Sequence, residues 1–299
     1  MEKKLTDNLR EFLLEQKCKG LSAKSLQNYK EFVTPFIRFK GKSACAPDIT
    51  QEAINEYISE LYDRKLSKAT IATYTRHIKV FLNWLSEECS VSYKTEKIPM
   101  PKTYKKNVLL YTDEQIKQIF DSVSAEPEWI ALRNRACISL MLDSGLRRAE
   151  VCSLKTRDYD PERERITVCG KGDKERIVPL GKLSRKLVEQ YREKCPFDLA
   201  DHLFVDRRGD PLSINALKLL IQKIAKKLPF EFSCHKLRHN FATNYCIDMY
   251  RQKGNMDAYS LQILLGHASM NTTMRYIHHA KSIVASEACI SHLDGIFGL

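Results

Sequence analysis

The stretch Leu264–His279, LLGHASMNTTMRYIHH, closes an apolar run on the pair Gly266-His267 and sets a tyrosine, Tyr276, nine residues beyond His267. A second short string, HKLRH, lies upstream at His235–His239. A helical core with polar ends would account for the leucines and isoleucine. A phosphate site with a nucleophile would account for arginine, histidine and tyrosine together. Neither string decides by itself, and the rest of the chain supplies the context.

The chain has 299 residues, enough for two domains at roughly 100–200 residues each. Apolar residues make up 43%, which suffices for real cores. Lysine and arginine number 49 against 37 acids, a formal charge of +12. Such an excess favours a polyanionic partner, a nucleic acid or an anionic membrane surface. No apolar run approaches the ~20 residues a spanning helix needs. The first residues, MEKKLTDNLREF, are charged and lack the apolar segment of a secretory signal. Ten cysteines are scattered singly from Cys18 to Cys289 without a C-x-x-C pair. They read as reduced thiols of a cytoplasmic protein rather than a disulfide framework.

Residues 1–92 read as about four helices. Ile71, Tyr74, Ile78, Phe81, Leu82 and Leu85 follow the spacing of one helix face, as do Ile54, Tyr57, Ile58 and Leu61. Ser22 is placed to cap the second helix, which runs on through Pro35 to Gly41. Residues 93–108 have no periodicity and read as an extended, basic linker. Its lysines Lys94, Lys97, Lys102, Lys105 and Lys106 serve solubility or, with a DNA partner, the phosphate backbone. Residues 109–299 form a second, mostly helical domain. Thr112-Asp113-Glu114-Gln115 is a capping box, WIALRNRACISLMLDSG predicts an apolar helix ending at Gly145, and RITVC and ERIVP predict a β-hairpin around GKGDK. Helices are expected over Leu183–Cys195, Ser213–Lys227, His235–Tyr250, Tyr259–Leu265 and Ser282–Leu293, with Arg251–Asn255 as an extended loop.

Four segments stand out: GLRRAEVCSL (145–154), GKGDKERIVPL (170–180), HKLRH (235–239) and LLGHASMNTTMRY (264–276). In that order, in a basic two-domain chain, they resemble the tyrosine recombinases, the phage integrase family. The length and the phrase GKGDKERIVPLG are most like the Xer branch and its transposon-borne relatives. The resemblance implies a mainly α fold, a four-helix core-binding domain followed by a mixed, mostly helical catalytic domain with a small β-hairpin or sheet. It implies a site-specific recombinase that breaks and rejoins DNA through a 3′-phosphotyrosyl intermediate.

The resemblance also assigns roles. Arg147 and Arg238 match the two arginines that clamp the phosphate, a task for which a forked, always charged guanidinium suits better than lysine. Lys171, in the hairpin turn between Gly170 and Gly172, is preferred over nearby Lys174 as the match for the lysine that protonates the departing 5′ oxygen. His235 and His267 match the histidines that exchange protons with the phosphate or the tyrosine. Tyr276 matches the nucleophile, and Glu150 is placed to orient Arg147 or to stabilise the fold. His239 reads as structural, and His278 and His279 remain unassigned. No metal and no cofactor is implied, because the phosphotyrosyl ester retains the energy of the broken bond. The implied partner is double-stranded DNA carrying a specific site, with self-association into a tetramer on two sites, a second recombinase being an open alternative. The tail SIVASEACISHLDGIFGL is expected to couple protomers.

Three rivals share parts of this pattern. His235 and His239 have the i, i+4 spacing of a metal pair, but the Glu of H-E-x-x-H is missing and Arg238 would repel a cation. A DNA-binding protein of the same fold without activity would have lost residues that are all present here. A type IB topoisomerase shares the chemistry, against which the Xer-like organisation argues.

Overall fold

The computed structural model describes residues 3–102, 109–170, 175–288 and 292–297. Lys105, Lys106 and Lys171 therefore lie outside the described residues. The chain divides into two compact units, Met1–Lys106 and Asn107–Leu299.

The first unit is built from α1 (Leu5–Cys18), α2 (Ala23–Lys40), α3 (Gln51–Asp63) and α4 (Lys68–Glu88). Ser22, Thr50 and Ser67 cap the last three, each side chain accepting a backbone N–H three residues on. These bonds satisfy donors that a helix start leaves without partners. Pro35 sits inside α2 without ending it. Phe12 lies edge-on to Tyr29, Phe81 and Trp84, with ring centroids 5.1, 5.6 and 5.6 Å away. The bundle also takes in residues expected to belong to an extended linker. Tyr93 and Ile98 are buried, the Tyr93 hydroxyl donates to the Leu82 carbonyl at 2.9 Å, and Thr95–Lys97 forms a 3₁₀ turn. Single apolar residues can thus seat in a core without any periodicity to announce them. Lys94, Lys97 and Lys102 are exposed.

In the second unit α5 (Asp113–Asp121) begins at the capping box of Thr112 and Gln115. The apolar helix α6 (Glu128–Asp143) is buried from Ala136 to Met141. It packs against α8 (Lys182–Lys194) and α10 (Cys234–Lys253) and forms the centre of the main core. The short α7 (Arg148–Ser153) leads to an antiparallel sheet of β1 (Tyr159–Asp160), β2 (Arg165–Cys169) and β3 (Glu175–Pro179), in that order. Ile166 pairs with Val178 and Val168 with Arg176, and all four side chains face inward. Then come α9 (Ile214–Ala225), α11 (Ala258–Leu265), α12 (Met270–Glu287) and α13 (His292–Phe297). A second core joins α10, α11 and α12 through Phe241, Ile247, Leu261, Leu265, Tyr276 and Ile277.

Two sequence expectations are corrected here. Arg251–Lys253 are not loop: α10 continues to Lys253 and stops at Gly254, whose φ of +73° gives the left-handed turn that ends a helix. Nothing before Gly254 breaks the helix. Nor does a separate helix begin at Ser282. Instead α12 runs unbroken from Met270 to Glu287, because Thr273, Tyr276, Ile277 and Ala280 form one buried face and no glycine or proline interrupts it. The tyrosine and the start of the tail therefore share one rigid element.

Gly145, just before the GLR string, has φ +64°, and a Cβ there would lie 2.3 Å from Cδ1 of Phe241. Gly254 has the same kind of φ with open space around it. We expect Gly145→Ala to destabilise the protein by on the order of 2–4 kcal/mol, combining left-handed strain with overpacking. Gly254→Ala should cost only the strain, about 1–2 kcal/mol. Urea midpoints of the two variants at equal m-value check this, and equal losses would contradict it.

Candidate active site

The site grows from one buried carboxylate. Glu150, three residues into α7, accepts the Arg147 backbone N–H at 2.7 Å, so it caps its own helix. Its oxygens also receive Arg147 Nη1 at 2.7 Å and Arg176 Nη1 and Nη2 at 3.0 and 2.8 Å. Nη1 of Arg238 stands 3.9 Å away. Burial, the largest single influence, pushes the Glu150 carboxyl up. Hydrogen bonds from Arg176 and from the Arg147 amide outweigh it together with the nearby charges, and hold the group below the ordinary carboxylate range.

The same three arginines meet the C-terminal end of α11. Arg176 Nε donates to the Leu264 carbonyl at 2.8 Å, Arg238 Nη2 to Leu265 at 2.5 Å and Arg147 Nη2 to Gly266 at 3.1 Å. A helix end leaves its last carbonyls without partners and carries partial negative charge, so three successive guanidiniums are well matched there. Gly266 adopts φ +59° as the left-handed cap, and His267 follows directly. Arg238 is further tied to the Gly145 carbonyl at 2.6 Å. Burial, followed by repulsion from Arg147, lowers its pKa to about 10, and it stays charged at neutral pH.

The histidines and Tyr276 gather beside this cluster. His235 and His239, one turn apart on α10, touch edge to face at 4.2 Å. The Tyr276 ring lies 5.0 Å from the His239 ring and stacks on His267 at 6.0 Å and 12°. Nδ1 of His267 is 2.9 Å from the Thr273 hydroxyl, which leaves Nε2 for a ligand. Burial, then neighbouring positive charge or the second histidine, lowers all three imidazoles, with His239 and His267 reaching about 4. Tyr276 is 5% exposed. Burial raises its hydroxyl, against the pull of Arg238, Arg275 and Arg147. An open cavity of about 530 Å³ is lined by Arg147, Arg148, Lys218, Cys234, His235 and Arg238 among others.

Of the residues singled out in the sequence, Arg147, His235, Arg238, His267 and Tyr276 come together. Arg147 also pairs with Glu150 at the start of α7, and its side chain is nevertheless 41% exposed. His239, read as structural, touches both His235 and Tyr276. His278 is exposed and His279 half-buried. Sequence reasoning missed Arg176, and with it Thr273 and Arg275. For Arg176 a signal existed: alternation in ERIVP sets it on the same face as Val178.

Residues 110–282 match the phage integrase family, and residues 5–91 match the phage integrase N-terminal SAM-like domain. The chain is 30% identical over 290 residues to tyrosine recombinase XerD of Listeria innocua, covering 93% of this chain and 94% of that one. It is 29% identical over 290 residues to XerD of Halalkalibacterium halodurans, covering 93% and 95%. A lambda integrase fragment, solved as a dimer bound to a core site, shares the fold with a TM-score of 0.73 at 20% identity, covering 91% of this chain and 94% of that one. XerH, solved in a post-cleavage complex, does so with 0.69 at 24%, covering 94% and 83%. The chain belongs to the phage integrase family and is a tyrosine recombinase of its Xer-like branch.

The lowered imidazoles give a pH dependence with a definite sign. Between the ordinary histidine value of 6.5 and about 4, an unfolded chain takes up protons that folded His239 and His267 refuse. Stability is therefore complete above about 6.5 and declines as pH falls toward about 4, with a slope approaching two protons. Urea titrations from pH 7.5 to 4.5 should show this decline. The double variant His239→Gln/His267→Gln should flatten it, and an unchanged slope in that variant would refute the assignment.

Proposed function

We propose that this recombinase cleaves a specific duplex site with Tyr276 as nucleophile, forming a 3′-phosphotyrosyl ester and a free 5′ hydroxyl. The observation that carries this reading is that His267 stacks on the buried Tyr276, Arg238 and Arg147 act on its hydroxyl, and His235 lies one ring away through His239, with Arg147, His235 and Arg238 lining an open basic cavity. The arginines clamp the non-bridging oxygens. Each spends two of its five N–H donors on the site's own acceptors, Glu150 and backbone carbonyls, and keeps the rest for phosphate. His267 donates to the same phosphate through Nε2, and His235, neutral at physiological pH, accepts the phenolic proton. Attack forms the P–Oη bond and breaks the P–O5′ bond, and Lys171 gives a proton to the departing 5′ oxygen. Rejoining is the reverse, with the 5′ hydroxyl attacking the ester, so neither nucleotide nor metal enters.

The reading extends to the partners. Lys94, Lys97 and Lys102, exposed on the first unit, and Lys105 and Lys106 beyond them meet the DNA backbone. The protein works in the cytoplasm, with the DNA it rearranges. Two domains hold the duplex and four protomers join two sites. Leu293, Ile296 and Phe297 are 64%, 60% and 74% exposed in the isolated chain, which supports a tail that seats on a neighbour.

Tyr276→Phe should bind DNA with unchanged affinity and form no covalent adduct, since the ring's packing remains and only the oxygen is lost. Arg238→Ala should cleave about 10²–10³-fold more slowly, the usual loss for a donor that acts in the transition state. Adduct trapping on denaturing gels beside a binding titration measures both. A Tyr276→Phe protein that still traps DNA would falsify the nucleophile assignment.

Deleting residues 285–299 should leave a protein that melts normally and binds a half-site. It should lose cooperative binding to a full site and lose strand exchange. Gel-shift titrations on half and full sites, with thermal melts, test this. A much lower melting temperature or lost half-site binding would assign the tail to its own chain's core.

A further inference from the structure

The proposed reaction gives Arg176 no part, yet Arg176 is among the most tightly held side chains of the site. It is 9% exposed, on the inward face of β3 opposite Val168. Its guanidinium forks onto both oxygens of Glu150, and its Nε holds the Leu264 carbonyl. Gly266 fits this arrangement, since a Cβ there would lie 3.2 Å from Arg176 Nη1. Burying a third arginine beside two others is costly unless something requires it.

Without Arg176, Glu150 would face only Arg147 and Arg238. Arg147 is half-exposed and already bonded to Glu150 Oε1, so its fork would be drawn fully onto the carboxylate. Arg238 Nη1, 3.9 Å from Glu150 Oε2, would be pulled off the Gly145 carbonyl. The Leu264 carbonyl would lose its donor, and the turn that sets His267 would loosen. All three changes act on residues that meet the phosphate, and none acts on a surface that binds the rest of the duplex.

We infer that Arg176 is a positioning residue for the transesterification: it occupies the Glu150 carboxylate so that Arg147 and Arg238 remain directed at the phosphate, and it fixes the α11 turn that presents His267. This rests on the recombinase reading above. Arg176 touches no substrate atom and acts through Glu150 and Leu264. The strength of its grip on Glu150 is consistent with the depressed carboxyl pKa, in which its hydrogen bonds are the largest influence favouring the ionised form.

The test uses the full chain and a nicked duplex that the wild-type protein selects from a random-sequence pool. Equilibrium binding, single-turnover adduct formation at saturating duplex and thermal melting are measured for Arg176→Met, Arg176→Lys and the double variant Glu150→Gln/Arg176→Met. Arg176→Met should bind within about threefold of wild type and form adduct about 10²-fold more slowly, a loss of the size seen when a transition-state donor is misplaced. Arg176→Lys, charged but unable to fork, should fall between. The double variant should form adduct about tenfold faster than Arg176→Met, because no unpaired carboxylate remains to draw in the clamp arginines. A wild-type rate in Arg176→Met overturns the inference. So does a parallel loss of binding, rate and melting temperature with no recovery in the double variant, which would mark a purely structural role. If Arg176→Met does not fold, Arg176→Lys decides, and a wild-type rate there is equally fatal. If the wild-type protein itself forms no adduct on any selected duplex, the recombinase reading fails first and takes this inference with it.

Discussion

A single buried carboxylate, Glu150, sets the geometry on which the catalytic unit depends. Left alone, a carboxylate at this depth would be protonated or would cost several kcal/mol to keep charged. It is kept ionised because three guanidiniums and a backbone amide converge on or near it. Each guanidinium comes from a different part of the chain: Arg147 before α7, Arg176 on β3 and Arg238 on α10. The carboxylate therefore ties strand, helices and loop to one point. The α11 carbonyls of Leu264, Leu265 and Gly266 provide the second anchor for the same three side chains. With both ends of the guanidiniums occupied, there is little freedom left in where their remaining donors point.

Charge balance gives the cluster its chemical character. Three guanidiniums against one carboxylate leave two unbalanced positive charges in this cluster. In the proposed reaction a phosphodiester brings one negative charge, and attack by a tyrosyl oxygen would add a second as the pentacovalent state forms. On the proposed reading the cluster would be under-compensated by the bound substrate and would stabilise the charge added at the transition state more than that of the ground state, which is the differential stabilisation that accelerates a reaction. The histidines complement this. Their depressed pKa values keep them neutral, so they add no charge to an already cationic site and remain able to accept a proton. Burial raises the Tyr276 hydroxyl, so it stays protonated in the free protein.

Much of this was legible in the sequence, for physical reasons that differ by element. The helices of the first unit announce themselves by apolar spacing and by the cap Ser22, while the caps Thr50 and Ser67 emerge only in the structure. Arg147, His235, Arg238, His267 and Tyr276 could be named because each lies in a short string of definite form. Arg176 escaped because an arginine in a hairpin looks like a solvated charge, and only the pleat, applied strictly to ERIVP, places it inward with Val178. The start of α12 is not legible in the sequence, because the polar residues Asn271, Arg275 and His278 break the apolar spacing of its buried face, Thr273, Tyr276, Ile277 and Ala280. Tyr93 and Ile98 joined the bundle's core with no pattern at all, a matter of tertiary packing that spacing cannot express.

The two arginines proposed as the phosphate clamp, Arg147 and Arg238, are not equivalent, and the difference follows from their surroundings. Arg238 is 5% exposed at its side chain and bonded to two carbonyls of separate elements. It cannot leave without unpacking the floor of the site. Arg147 is 41% exposed and shares Glu150 with Arg176. Its hold on the carboxylate is therefore weaker than that of Arg176, and in the proposed reaction a phosphate in the cavity would compete for its fork. What makes that exchange affordable is that Glu150 keeps the Arg176 fork when Arg147 turns outward. The buried carboxylate would then not be left unpaired, so in the proposed reaction substrate could recruit Arg147 without the several kcal/mol that breaking a buried ion pair usually costs. A fixed arginine, a recruitable one and a third that frees it make a site preorganised where charge develops and able to adjust where the substrate enters.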